Sequence, residues 1–345
     1  MTSTNQLMNA LADLMIQKMF CVTAGETVAI TGDSGSDRLF ADALAEATEK
    51  SGGKFLILWT PKAQSDSQAG MPAWPVEALS AALCEVDVWI ELQSTILLYS
   101  DIWEKAMKEN KKLRYLILGS SSIPSLARTF MGFDITKLSN FLIEVMERSM
   151  RAKTIRITSK NGTDVSYQTD ANYIFDYDGG DYSMPIFGTA PGYVNIIPKT
   201  GSMEGKIVFD LLMNVDVFQK EEKVSFIMKE GSINSVNGGE EAKKFKAYLE
   251  SFNDPNMYKI SHNMLGFNPS VREMKGEIVE DERVWGGVDF GFGHTSPIDM
   301  PPHGQPAKSH FDGVVEKVNI YFDEEMIVKN GEVFIPVLKS ISDKL

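Results

Sequence analysis

The 345-residue sequence predicts an α/β N-terminal domain with a mostly parallel sheet, followed by an α+β C-terminal domain with a curved antiparallel sheet or partial barrel. Three observations carry this. Apolar strand-like runs alternate with helical patterns as far as residue 150. Those runs are continuously apolar, as in parallel strands covered on both faces. Beyond residue 151 the texture changes to alternating segments with hairpin signals at Asn161-Gly162 and Asn330-Gly331. The boundary is placed there, giving domains 1–150 and 151–345.

The elements follow in order. Leu7, Leu11, Leu14, Met15 and Met19 share one side at helical spacing, which predicts an amphipathic helix over 7–20. Residues 26–31 read as a short buried strand that runs into the turn Gly32-Asp-Ser-Gly35 and a helix over 37–51. That turn is neither GxGxxG nor GxxxxGK[ST], so no nucleotide-binding fingerprint is present. Strands are expected at 55–59, 86–92 and 113–118, with helices at 76–84, 98–110 and 135–150. In the second half, strands are expected at 153–158, 164–168, 194–197, 206–210, 223–228, 284–290, 314–322, 326–328 and 333–337, with one helix at 240–251.

Composition narrows the function. Basic residues number 34 against 47 acidic, a net charge of −13. That sign opposes a binder of nucleic-acid backbone and an anionic membrane surface. No apolar run is long enough for a membrane span, and the N-terminus lacks the pattern of a signal peptide. The two cysteines, Cys21 and Cys84, form no CxxC module and read as free, buried thiols in a reducing cytoplasm. A cytoplasmic protein is expected.

All four histidines, His262, His294, His303 and His310, lie beyond residue 260. Ser309-His310-Phe311-Asp312 has an H-x-D spacing, and on an extended segment residues two apart point to one side. His310 and Asp312 can therefore reach one metal, with His262 as a third ligand. Two histidines and one carboxylate make the facial triad typical of non-haem iron, Fe(II), with open positions for substrate and dioxygen. The plainer alternative is a solvated loop histidine. Asp176-Tyr-Asp-Gly-Gly-Asp181 resembles a calcium loop superficially, but its spacing is wrong and a flexible acidic loop is expected. Near the site, Asp176 would serve as a base or orient substrate. Asp289 interrupts an apolar strand in the glycine-dense run 286–293, so it faces either solvent or a cavity. His294 and His303 sit in a Gly/Pro-rich stretch that reads as an exposed loop or as a lid.

The run Ser251-Phe-Asn-Asp-Pro-Asn-Met-Tyr-Lys-Ile-Ser-His262, then Gly266-Phe-Asn-Pro269 and Ser309-His310-Phe-Asp312, resembles the 2,5-dihydroxypyridine 5,6-dioxygenase family. That family lies within the thermophilic, aminopeptidase T-like metallo-aminopeptidase superfamily, which the segment 201–210 also resembles. The resemblance covers most of the chain weakly and 190–325 better. It implies an iron(II) enzyme that opens a hydroxylated N-heteroaromatic ring with O2, giving N-formylmaleamate from 2,5-dihydroxypyridine. It implies no organic cofactor, a homo-oligomer, and the triad His262, His310 and Asp312. The aminopeptidase branch, the alternative function, carries two metals. His262 stands where that branch has Glu, Tyr193 where it has a second Glu, and Asp289 where it has a metal-binding His. Two features of the dioxygenase are missing: Gly188 falls where it has a His, and Gly291 where it has a Ser near the ring. By the same resemblance Asp176 matches an acidic site residue. Tyr193, Asp289, Gly291 and His294 are the candidate substrate-pocket residues.

Overall fold

A computed structural model describes residues 4–119, 121–213 and 222–345. The chain divides into two compact units, residues 1–132 with 180–191, and residues 133–179 with 192–345.

In the first unit a parallel sheet forms from the alternating apolar runs. Lys54–Trp59, Thr27–Gly32, Val88–Glu91, Arg114–Ile117 and Ile186–Gly188 lie in that order across it. The last strand is contributed by the 180–191 excursion and pairs parallel to Arg114–Ile117. Three of this unit's helices start where a side chain caps free N–H groups. Asp37 accepts from the Phe40 N–H, and Ser100 from the Trp103 N–H. The helix Ile123–Phe130, capped by Ser122, is an addition to the sequence-based reading. The thiol of Cys21 is exposed rather than buried, and that of Cys84 is half-buried.

Among the described residues, the second unit contains two antiparallel sheets of eight and six strands. One apolar core includes Ile155, Ile157, Val165, Ile207 and Ile320 from the larger sheet and Val194, Leu265, Phe290, Phe292 and Phe311 from the smaller. The helix Ile135–Arg151 packs its Leu138, Phe141, Leu142 and Val145 into that same core. The division therefore falls before this helix, although the alternation had grouped it with the first domain. The stretch expected as one strand over 314–322 is two, because Lys317 takes a positive φ of 52° between Gln305–Val315 and Asn319–Phe322. The expected strand at 333–337 stops at Val333, and the helix Pro336–Ser342 follows. No helix among the described residues is long and apolar enough to cross a membrane.

Candidate metal centre

The smaller sheet is ordered so that Val288–Thr295 lies between Ile260–Gly266 and Gln305–Val315. Side chains alternate across a strand. Val288, Phe290 and Phe292 enter the apolar core, so Asp289, Gly291 and Gly293 stand on the opposite face. Phe311 likewise enters the core, which turns His310 and Asp312 to that opposite face. In register, His262 is opposite Gly291, Gly291 is opposite Asp312, and Gly293 is opposite His310. Two candidate ligands on outer strands thus flank a central position that has no side chain.

The side chains converge over that position. One donor atom from each of His262, His310 and Asp312 lies within 4.8 Å of the others. Asp312 Oδ1 is 3.1 Å from His310 Nε2 and 3.5 Å from His262 Nε2. Ligands at about 2.1 Å from one ion with right-angle geometry stand about 3 Å apart, so this set fits a facial triad. The imidazoles stack, with centroids 5.1 Å apart and planes 19° from parallel. His310 Nδ1 donates to the His294 carbonyl oxygen, with an N···O distance of 2.8 Å. With Nδ1 donating there, Nε2 is the nitrogen that a metal would take, in exchange for the proton it shares with Asp312.

The electrostatics suit a cation. Burial holds His262 well below the usual imidazole value, at about 4, so it is neutral at pH 7 as a ligand must be. Burial opposes charge on Asp312 too, but His310, His262 and Arg283 together keep that carboxyl below its ordinary value, and Asp312 in turn raises His310 despite its burial. Asp289 is fully buried, with Oδ2 3.1 Å from His262 Nε2. Its Oδ1 has no hydrogen-bond partner among the described residues, and burial pushes its pKa well up. Carboxylate oxygens of Glu282, Asp289 and Asp312 form a second cluster within 4.8 Å. Unpaired buried carboxylate oxygen is costly, and a bound cation offsets that cost.

Other candidates fall in varied places. Asp289 faces this site, not solvent. Asp176 is not in a flexible loop: it belongs to the strand Phe175–Asp178, opposite Asn195, which is opposite Met264, which is opposite Asp289. That row puts Asp176 on the site face but two strands from His262, about 10 Å laterally. Burial raises its carboxyl to about 7 against a hydrogen bond from Asn195. Tyr193 is buried, with the Arg283 guanidinium 5.2 Å above its ring. His294 lies within the strand Val288–Thr295, not in a loop, while His303 is exposed. Gly291 offers no pocket side chain, and with His262 in place a Cβ there has no room.

Sequence reasoning missed Glu282 and Arg283. The run Glu280-Asp-Glu-Arg283 looks like a solvated turn, yet all four residues are buried. Glu282 pairs with Arg283, and burial raises Glu282 to about 7.

A family model for 2,5-dihydroxypyridine 5,6-dioxygenase matches residues 12–335. The chain belongs to that family. A curated member of that name from Pseudomonas putida is 23% identical over 201 residues. The match spans 54% of this chain and 55% of that relative, about half the length of each. Among solved structures, 2,5-dihydroxypyridine dioxygenase from Pseudomonas putida superposes with a TM-score of 0.80 at 21% identity, covering 98% of this chain and 99% of that one. AmpT from Thermus thermophilus superposes with a TM-score of 0.72 at 11% identity, covering 96% and 100%. At those identities the likeness is one of fold, and it agrees with the expected parallel-sheet and antiparallel-sheet halves.

Proposed function

We propose that this protein is an iron(II) dioxygenase that cleaves a hydroxylated N-heteroaromatic ring, with 2,5-dihydroxypyridine as the model substrate. Adding both atoms of O2 to that ring gives N-formylmaleamate with atoms balanced. The observation that carries the reading is the convergence of His262, His310 and Asp312, two neutral-capable imidazoles and one carboxylate, in a chain of this family. Bound there, a divalent ion would offer open positions where a substrate hydroxyl oxygen and dioxygen meet.

The chain's own contributions follow from its geometry. His262 and His310 present Nε2 toward Asp312, and the His294 carbonyl holds His310 at its other nitrogen. Asp312, ionised, supplies one negative charge to the cation. Asp289 and Tyr193 border the site face, with the backbone of Gly291 as its floor. Asp176, held near pH 7 by burial, is proposed as the group that stores or releases a proton, with Asn195 fixing its orientation. We further propose a cytoplasmic location, in keeping with two unpaired cysteines, and a homo-oligomer, on the family resemblance alone.

The metallo-aminopeptidase alternative is weaker. The fold likeness to AmpT supports it, but His262 stands where that branch carries Glu. The test is anaerobic metal analysis followed by oxygen uptake with a panel of dihydroxypyridines. One iron per chain and ring-dependent O2 consumption are expected, with both lost in His310→Ala. Two zinc or cobalt ions with peptide hydrolysis would overturn the proposal.

A further inference from the structure

The strand register puts Gly291 directly between two candidate ligands, His262 on one neighbouring strand and Asp312 on the other. Adjacent strands are about 4.8 Å apart, so residues on the two outer strands are about 10 Å apart at the backbone. Their side chains meet only by leaning inward over the central strand. In this chain the space over which they lean is where a side chain at position 291 would begin.

The His262 imidazole occupies that space. A Cβ built on Gly291 would fall 2.6 Å from both His262 ring nitrogens and closer still to Cε1. Real Cβ atoms essentially never come within 3.0 Å of a heavy atom, so the ring would have to move. It has little freedom to do so. One face stacks on His310, and Nε2 lies 3.1 Å from Asp289 Oδ2. Gly291 is not among the positive-φ residues, so backbone conformation does not demand glycine here. The demand comes from the imidazole.

We propose that Gly291 is a positioning residue of the metal centre: the missing side chain is the slot that seats His262 within reach of Asp312 and His310. The inference rests on the metal-centre reading above. Gly291 touches neither substrate nor metal in this role and acts only through the His262 ring. The feature also separates the two meanings of the glycine-dense run. Gly286 and Gly287 serve a turn, whereas Gly291 serves the site.

The experiment compares wild type, Gly291→Ala, His262→Ala and the double variant. Readouts are iron(II) or cobalt(II) affinity, the cobalt(II) absorption spectrum, and thermal stability without metal. Gly291→Ala is expected to bind metal about 10–100-fold more weakly, with an altered cobalt(II) spectrum, as when an outer residue that orients a ligand is lost. The double variant is expected to match His262→Ala in affinity, because the added methyl has nothing left to displace. If Gly291→Ala fails to fold, the double variant should fold, since removing the ring makes room. Wild-type affinity and spectrum in Gly291→Ala would overturn the inference. So would a double variant that binds more weakly, or folds worse, than His262→Ala. If wild type itself takes no metal, the metal reading fails separately. The seating of His262 is then read from its imidazole NMR resonances in Gly291→Ala, and unchanged resonances would overturn it.

Discussion

His310 Nδ1 lies 2.8 Å from the carbonyl oxygen of His294, and the same oxygen accepts the Ser261 hydroxyl at 2.9 Å. Ser261 in turn accepts from the Thr295 hydroxyl at 2.6 Å. The strand that carries Gly291 thus holds the histidine of one neighbour by its backbone and the serine of the other. Ser261→Ala should therefore leave His310 aimed. It strands the buried Thr295 hydroxyl and should cost about 1–3 kcal/mol in a urea titration. Metal content should stay near wild type. If Ser261→Ala empties the site, the serine rather than the histidine bond fixes that carbonyl.

Arg283 is buried and pairs with Glu282, a carboxylate clustered with Asp289 and Asp312. Arg283→Met removes the charge while keeping much of the volume. It leaves Glu282 unpaired in a dry setting, a change worth about 3–5 kcal/mol of stability. Adding Glu282→Gln should recover part of that loss. Denaturation midpoints of the four proteins would test this, and simple additivity would contradict it.

Glu91 supplies a pH dependence far from the metal centre. It is fully buried in the first unit's sheet and accepts from the Tyr115 hydroxyl at 2.7 Å. Burial raises its carboxyl from 4.5 to about 8. A raised folded value means the native state keeps a proton that the unfolded chain releases. This contribution is complete below about pH 4.5 and is lost as pH rises toward 8, on the order of a few kcal/mol. Glu91→Gln should remove it. Wild-type minus variant stability, followed from pH 4 to 9, should fall with pH, and a flat difference would refute the assignment.

Gly286 takes a φ of +67°, and a Cβ there would collide with the Gly331 backbone. Gly286→Ala carries both a strained dihedral and a backbone clash, so a loss of at least about 1–3 kcal/mol is expected. The midpoint of thermal unfolding measures it. A midpoint unchanged within a degree would mean that the hairpin at Asn330-Gly331 shifts freely.

What was legible in the sequence was local. The H-x-D spacing on an extended strand placed His310 and Asp312 on one side because strand alternation is a two-residue rule, and Phe311 between them enters the core. The parallel half was legible because its apolar runs are continuous. Burial set by distant chain was not legible. Glu282 and Arg283 look solvated because four charges in a row normally are. The edge strand at Asp176 looks like an acidic loop because its pairing partner lies well downstream, at Asn195. The segment 135–150 was legible as a helix, but not which core receives Leu138, Phe141, Leu142 and Val145.

The candidate ligands sit in mid-strand, not on loops, and this shapes how such a centre can change over time. Inserting or deleting one residue within Gln305–Val315 would turn His310 and Asp312 into the phenylalanine core and swing Phe311 outward. Length variation in these strands is therefore tolerated only where a bulge absorbs it, as beside His262, and the candidate ligand set changes most directly by exchanging one side chain for another. New substrate preferences have a separate route, through turns such as residues 296–304, where added length leaves the register intact.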